Sequence, residues 1–240
     1  MKRIFILCCL VIVAFSSCRW SGYKRVKGSG NIITEDRHIS AATKIKLSGS
    51  YDVEITQGGS TSVKVEADDN FMPYIITDEE DGVLVIKSRD NINFFSDHNI
   101  KIYIVTDRLE GVQLAGSGNI TGKNKFTGGN KMMLKIAGSG DMKLELNTPS
   151  VDAEIAGSGT MTLSGETRDQ LIRISGVGDY NAEGLKTENT TVRVAGSGDV
   201  KVFADGNLDI NITGVGSVYY KGAATVRQHV AGSGEVKRID

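Results

Sequence analysis

Residues 192–202, VRVAGSGDVKV, alternate as a β-strand does on both sides of a Gly-Ser-Gly interruption. Glycine weakens the interior of a strand, so two glycines at this place need a structural reason. The same pattern recurs in LKIAGSGDMKLEL, AEIAGSGTMTLSG, RISGVGDYNAEG and NITGVGSVYYKG. The pattern is therefore an internal repeat, and the repeat decides the fold.

The spacing of the repeat indicates how its units assemble. The residue before the first glycine advances by 22, 19, 19, 20, 18 and 18 residues from one unit to the next. A unit of this length cannot bury its own apolar side chains, so neighbouring units must stack. Each unit has two short strands, no helical period, and a polar turn such as NTPS or ADGN. The pattern predicts an all-β, parallel β-helix-like solenoid with coils of about 18–22 residues.

The side-chain alternation of a strand passes through Gly-Ser-Gly without a slip. In one unit Val194, Gly196, Gly198 and Val200 share a side, which places both glycines on the apolar, inward side. We expect a corner there, where inward space admits no side chain and the backbone needs unusual dihedral angles. The predicted structural glycines are Gly116, Gly118, Gly138, Gly140, Gly157, Gly159, Gly176, Gly178, Gly196, Gly198, Gly214, Gly216, Gly232 and Gly234.

The opposite parity faces solvent and forms a polar column on successive coils. That column is predicted to contain Asn119, Asp141, Thr160, Asp179, Asp199, Ser217 and Glu235. Any ligand contact is expected on this column and its neighbours, chiefly Asp141, Asp179 and Asp199 with Lys143 and Lys201. A ladder of side chains spaced at roughly 4.8 Å suits an extended or repetitive partner. The alternative is that these charges only keep the sheet soluble.

The N-terminus has the features of an export signal. A basic start, Lys2 and Arg3, precedes the apolar stretch IFILCCLVIVAF and the sequence SSC. FSSC resembles a bacterial lipobox, which predicts a lipoprotein signal peptide at residues 1–17 and lipidation of Cys18. Because Cys8 and Cys9 leave with the signal, the mature domain would contain no disulfide. Residues 18–40 are then a lipid anchor, a tether and a first strand.

The remaining residues, 41–240, are predicted to form one β-solenoid without an internal linker. Residues 41–112 make irregular layers, in which TKIKLSGSYDVEITQ looks like a coil with Gly49 at its bend, and residues 113–240 make the regular coils. The segments VKVEADDNFMPYI and GVLVIKS, together with the serial AGSGNI and AGSGD elements, resemble the head GIN domain of auto-transporter adhesins. This resemblance implies a β-helix-like fold and an adhesin-type function, and it supplies no catalytic residues.

Composition and motifs exclude several other functions. The formal charge of −1 gives no nucleic-acid footprint, and His38, His98 and His229 share no metal-ligand spacing. A calcium site would need denser acidic repeats than GSGD provides, so neither a metal nor a cofactor is expected. We interpret the chain as a non-catalytic lipoprotein that binds a glycan, an envelope component or a protein. The alternative is a β-helical polysaccharide hydrolase or lyase in which Asp179 and Asp199 form a carboxylate pair.

Location and assembly are predicted only in outline. A lipid anchor indicates the cell envelope, chiefly the outer membrane, with the periplasmic and surface sides both open, and a purely structural role is a third alternative. The last coil, VAGSGEVKRID, ends at residue 240 without a capping helix. An exposed strand edge is a template for pairing. Charged Glu235, Lys237, Arg238 and Asp240 would blunt this edge, and end-to-end dimerisation is the alternative.

Overall fold

A computed structural model of the chain describes residues 22–239. The predicted signal peptide and the lipidation site Cys18 lie outside the described residues. The described part is mainly β-structure, and most of its strands stack in parallel register along one axis. The predicted solenoid class is therefore confirmed.

Nine strands precede the regular repeats, and a short 3₁₀ helix, Asp69–Tyr74, lies between the fifth and sixth. These strands are β1 (Lys24–Lys27), β2 (Ile32–Arg37), β3 (Lys44–Gly49), β4 (Asp52–Gln57), β5 (Ser62–Asp68), β6 (Ile75–Glu80), β7 (Val83–Ser88), β8 (Ile92–Phe95) and β9 (Lys101–Thr106). The repeats contain β10 (Gly111–Gly116), β11 (Asn119–Thr127), β12 (Met132–Gly138), β13 (Asp141–Gly157), β14 (Thr160–Gly176), β15 (Asp179–Gly196), β16 (Val200–Phe203), β17 (Asn207–Gly214), β18 (Val218–Lys221), β19 (Thr225–Gly232) and β20 (Val236–Arg238).

The coils form two main faces. On the first face the strands pair in the order β6, β7, β3, β10, β12, the second parts of β13 to β15, β17 and β19. On the second face the order is β2, β5, β9, β4, β11, the first parts of β13 to β15, β16, β18 and β20. Pairing is parallel throughout the stacked coils and antiparallel where β6, β5 and β2 join the N-terminal end.

The order of the first layers differs from their order in the chain. The coil made by β3 and β4 pairs directly with β10 and β11, so Gly49 lies in register with Gly116. The later strands β7 and β9 pair with the other side of that coil. Residues 58–110 are therefore an excursion that builds the N-terminal end before the chain returns to the stack.

The core consists of inward-facing aliphatic side chains in register. One column contains Ile136, Ile155, Ile174, Val194 and Ile212, and all five are buried. Burial of one such side chain contributes about 1.5–3 kcal/mol relative to leaving it exposed. Alternation with exposed residues on the same strands fixes the register, because a slip of one residue would turn the column outward.

The first glycine of each corner has a backbone conformation that other residues rarely adopt. Gly138, Gly157 and Gly196 have φ of 142°, 136° and 140°. A Cβ built on Gly138 would lie 2.2 Å from the carbonyl oxygen of Gly116 on the preceding coil. The main obstacle to a side chain is therefore the stacked backbone along the axis, rather than a lack of inward space. Because every coil stacks in this way, the same backbone contact requires glycine at the first position of each corner.

The other corner of the coil is built differently from the expected polar turn. NTPS, residues 147–150, lies within the continuous strand β13, which bends from the second face to the first. Thr148, Thr167 and Thr187 stack here in register and are buried. The Thr148 hydroxyl donates to the Gly129 carbonyl at 3.1 Å, and Thr187 donates to the Phe203 carbonyl at 2.6 Å. Buried hydroxyls that find backbone acceptors allow the strand to turn without a loop.

The C-terminal end leaves one side of the last coil open. Within residues 22–239, β19 pairs only with β17, and β20 pairs only with β18. Gln228 occupies the inward column that Val192 and Ile210 fill in the preceding coils. The Gln228 amide gives the exposed end of the stack a polar surface. A polar end is less prone to pair with another chain. The end-to-end dimer stays a prediction.

Candidate functional site

The predicted polar column exists on the second face, beside the glycine corner. Asn119 pairs with Asp141, and Thr160 pairs with Asp179 on the neighbouring coil. Asp141 and Asp179 are exposed, and Asp199 is half-buried. The structure thus places these three carboxylates in one column, with Thr160 between Asp141 and the other two.

Each of the three carboxylates makes a structural hydrogen bond to the next coil. Oδ1 of Asp141 accepts from the backbone N–H of Thr160 at 3.0 Å. Oδ1 of Asp179 accepts from the N–H of Asp199 at 3.1 Å, and Oδ1 of Asp199 accepts from the N–H of Ser217 at 2.9 Å. A short polar side chain can satisfy a backbone donor where a ladder is interrupted. These aspartates therefore connect successive coils at the corner.

This geometry weakens the enzyme alternative. Asp179 and Asp199 do lie on neighbouring coils, as the sequence predicts, and each has one oxygen bound to a backbone amide. Acid–base pairs work because different environments separate the pKa values of the two groups. Here both carboxylates have the same kind of hydrogen-bond partner, so these bonds do not distinguish an acid from a base.

The two predicted lysines belong to the next outward column. Lys143 pairs with Thr121 and Thr162, and Lys201 pairs with Asn181 and Tyr219. Both lysines are exposed. They are not neighbours, because Thr162 and Asn181 lie between them. The structure therefore puts all five predicted binding residues on one face, and none of them lines either of the two depressions described below within residues 22–239.

A concave site lies on the first face, where the sequence predicted no binding residue. It is a groove of about 610 Å³, and we call it the sheet groove. Its lining includes Lys44, Lys46, Glu80, Asp81, Val83, Val85, Gly111, Gln113, Met133, Lys135, Asp152, Glu154 and Arg173. The signal in the sequence is Gly111, an outward glycine beside Met133, whose side chain is 43% exposed. A missing side chain next to an exposed apolar one makes the depression.

Ion pairs form one end of the sheet groove. Asp152 lies between two cations, with Lys131 Nζ at 2.8 Å and Arg173 Nη1 at 2.6 Å. Lys135 Nζ lies 2.7 Å from Glu154. Desolvation acts to raise the pKa of Asp152, but the hydrogen bonds and charges of Lys131 and Arg173 outweigh it and hold this pKa below its usual value. Both carboxylates at this end are therefore paired with cations, and the three cations exceed the two carboxylates by one positive charge.

The lysines in the middle of the sheet groove have a different setting. Lys44 lies between Val83 and Gly111 on the adjacent strands, and Lys46 lies between Val85 and Gln113. Neither lysine takes part in an ion pair within residues 22–239. Two lysines on one strand that make no ion pair can receive an anionic ligand group, although the charge of Lys44 also acts on Glu110, whose pKa is lowered chiefly by its hydrogen bond to Arg108.

A second depression, of about 320 Å³, lies at the N-terminal end beside Tyr51, Phe71 and His98. Burial raises the pKa of Tyr51, although its hydrogen bond to the Ser88 hydroxyl acts in the opposite direction. The phenol is thus a neutral hydrogen-bonding group of the core rather than a reactive one.

Residues 22–239 contain no group of three His, Cys, Asp or Glu side chains arranged to hold a metal ion. Over the same residues, no helix has the length and apolarity needed to cross a bilayer.

Comparison with protein families gives a direct match. The model of the family described as "Putative auto-transporter adhesin, head GIN domain" matches residues 42–224, which is most of the chain. The chain belongs to this family. The resemblance inferred from the sequence is confirmed, and membership in an adhesin family indicates a protein of the cell envelope or surface. Comparison with curated proteins finds no match.

Solved structures share the fold over nearly the whole length. A "putative adhesin" from Bacteroides fragilis has a TM-score of 0.83 at 24% identity, covering 89% of this chain and 100% of its own. A "putative adhesin" from Parabacteroides merdae has a TM-score of 0.73 at 26% identity, covering 90% and 99%. A "putative lipid binding protein" from Parabacteroides distasonis has a TM-score of 0.74 at 26% identity, covering 90% and 100%. The family and the Parabacteroides merdae neighbour are described as adhesins, and the Bacteroides fragilis structure supports the fold alone.

Proposed function

We propose that this member of the adhesin family is a non-catalytic lipoprotein of the cell envelope, and that it binds an envelope component in the sheet groove. The lipid anchor is Cys18, which follows the lipobox-like FSSC. The anchor places the domain at a membrane, with the outer membrane as the expected site. The observation that carries the binding function is the pair Lys44 and Lys46, which line a groove without ion-pair partners in residues 22–239.

The sheet groove supports this function better than the aspartate column does. A ligand on the column would compete with the amide hydrogen bonds of Asp141, Asp179 and Asp199. A ligand in the groove would instead meet two lysines and the exposed side chain of Met133. Recognition sites typically combine a concave apolar surface with a few convergent polar groups. The name of the Parabacteroides distasonis neighbour adds support for an amphipathic ligand.

The test fills the groove without changing charge. Gln113→Trp places a large side chain in the groove, and Asn181→Trp makes a similar change at an outward position of the second face. In a Cys18→Ser background, which removes the proposed lipid anchor, we expect Gln113→Trp to weaken binding of the labelled chain to isolated cell envelopes by about tenfold, which is about 1.4 kcal/mol. Asn181→Trp should leave this binding unchanged.

The same assay compares the sheet groove on the first face with the lysines of the second face. Lys143→Glu with Lys201→Glu changes the net charge as much as Lys44→Glu with Lys46→Glu does. If the first pair weakens envelope binding more than the second, the ligand contacts the second face and the proposed groove function is wrong. Equal binding by Gln113→Trp and the unchanged chain would also overturn it.

A further inference from the structure

The outward side chains of the first face form a row whose chemistry changes in a definite order. Antiparallel pairing sets Glu80 opposite Val83, and parallel pairing then sets Val83 beside Lys44. Gly111 and Met133 follow on the next two strands. The row therefore reads acid, apolar, base, bare backbone, apolar across the sheet groove, and Asp152 with its two cations follows Met133 on the next strand.

Spacing along the row follows from the sheet itself. Strands lie about 4.8 Å apart, so the backbones at Glu80 and Lys44 are separated by roughly 10 Å with Val83 between them. Lys46 projects from the same face as Lys44, about 7 Å further along the strand. The side chains of Glu80 and Lys44 approach Val83 from opposite sides. A group bearing a cation and an anion a few ångströms apart fits between them.

The acidic end of the groove is built on a tight backbone turn. Asp81 and Gly82 form the tight turn between β6 and β7, with φ of 51° and 74°. Positive φ at both central residues is the geometry of a two-residue hairpin turn that favours Asp-Gly or Asn-Gly. Glu80 and Asp81 both line the groove, and neither forms an ion pair within the described residues. The turn thus fixes the backbone positions from which the two exposed carboxylates extend.

From this row we infer that the sheet groove binds a zwitterionic lipid whose headgroup carries a primary ammonium and a phosphate. The ammonium lies against Glu80 and Asp81, the phosphate lies against Lys44 and Lys46, and the first part of an acyl chain covers Gly111 and Met133. Charge complementarity at both headgroup groups selects this class. The inference rests on the proposed function, because it names the ligand of the same groove.

Three short-chain lipids separate the possible headgroups. Dihexanoyl phosphatidylethanolamine has both groups, the phosphatidylglycerol analogue lacks the ammonium, and the phosphatidylcholine analogue has an ammonium that cannot donate hydrogen bonds. Binding is measured by calorimetry on the full chain, extracted from membranes and kept soluble with an amphipol. We expect the ethanolamine lipid to bind about fivefold tighter than the other two. Phosphoethanolamine without acyl chains should bind more weakly than the lipid, because it cannot cover Met133.

Two pairs of substitutions assign the ends of the groove. Glu80→Gln with Asp81→Asn keeps the turn chemistry and should abolish the preference for ethanolamine. Lys44→Glu with Lys46→Glu should weaken all three lipids about tenfold. The control pair Lys143→Glu with Lys201→Glu should change none of these affinities.

The possible outcomes distinguish a wrong lipid assignment from a wrong binding site. Equal binding of phosphatidylglycerol and phosphatidylethanolamine, a preference that survives Glu80→Gln with Asp81→Asn, or an equal effect of the control pair would overturn the lipid assignment. If none of the three lipids binds while envelope binding still depends on Gln113, the lipid assignment fails and the proposed groove function stands.

Discussion

At the scale of single residues, each glycine corner is constrained in two ways. Gly196 has φ of 140°, and a Cβ there would lie 2.1 Å from the carbonyl oxygen of Gly176. Ser197, between Gly196 and Gly198, is exposed. Its backbone N–H donates to the carbonyl of Gly176 at 2.8 Å. The backbone of the corner therefore makes the coil-to-coil contact, while the serine side chain faces solvent. This explains why Val177 and Val215 replace serine in two coils.

We predict a large loss of stability for a substitution at Gly196 and almost none for one at Ser197. Gly196→Val should lower the free energy of unfolding by about 2 kcal/mol or more, because steric overlap with the stacked backbone adds to dihedral strain. Ser197→Ala should change it by less than about 0.5 kcal/mol. Urea unfolding of both variants measures the difference. Equal losses of stability would show that the corner is not limited by its glycine backbone.

At the scale of elements, side chains on successive strands tie the coils together. Lys131 precedes β12, Asp152 is in β13 and Arg173 is in β14, so one carboxylate bridges three coils at 2.8 and 2.6 Å. The pKa of Asp152 is depressed because the two cations favour its ionised form over the opposing effect of desolvation. A depressed folded-state pKa gives stability above the unfolded-state pKa, and this stability is lost as the pH falls through the folded-state value.

Asp152→Asn should therefore destabilise the chain at pH 7 and have a smaller effect in acid. The expected loss at pH 7 is about 1 kcal/mol or less, since the three side chains are partly exposed. The loss should shrink below about pH 4, where the carboxyl of the unfolded chain is already protonated. Denaturant unfolding of both proteins at pH 7 and near pH 3 measures it. A difference that is the same at both pH values would contradict a contribution from the charged form.

At the scale of the whole molecule, the solenoid has two dissimilar ends. The N-terminal end is built by antiparallel strands and the 3₁₀ helix Asp69–Tyr74, which buries Phe71 and Met72. The C-terminal end stops at a coil with one unpaired side within the described residues. The groove lies on the first face, near the N-terminal end, where β7, β3 and β10 meet. A lipid anchor at Cys18 would hold this end nearer to the membrane.

Changing Cys18 to Ser should release the protein from membranes. The acceptor thiol would be lost, and a single domain without its lipid has only the groove to hold it at the envelope. Membrane fractionation and the mass of the mature chain measure the outcome, with Ser17→Ala as the matched control. Unchanged fractionation and an unchanged mass would show that Cys18 carries no lipid.

The sequence by itself determined the repeat, the inward and outward sides of the strands, and the need for glycine at each corner. These properties are local: a strand alternates with period two, and the Gly-Ser-Gly element marks the same corner in every coil. The carboxylate column was also predictable, because residues at equivalent places in a repeat stack. What those carboxylates bind was not, since their partners are backbone amides of the next coil.

Only the tertiary structure decided the order of the first layers and the position of the groove. Strands such as β3, β7 and β9 have similar aliphatic patterns, so local sequence does not specify which of them pairs with β10. The groove lies where Lys44, Gly111 and Met133 meet, and the pairing of β3 with β10 brings residues 67 positions apart into contact. Such contacts depend on the packing of the whole chain, because long-range pairing is fixed by complementary burial rather than by sequence neighbours.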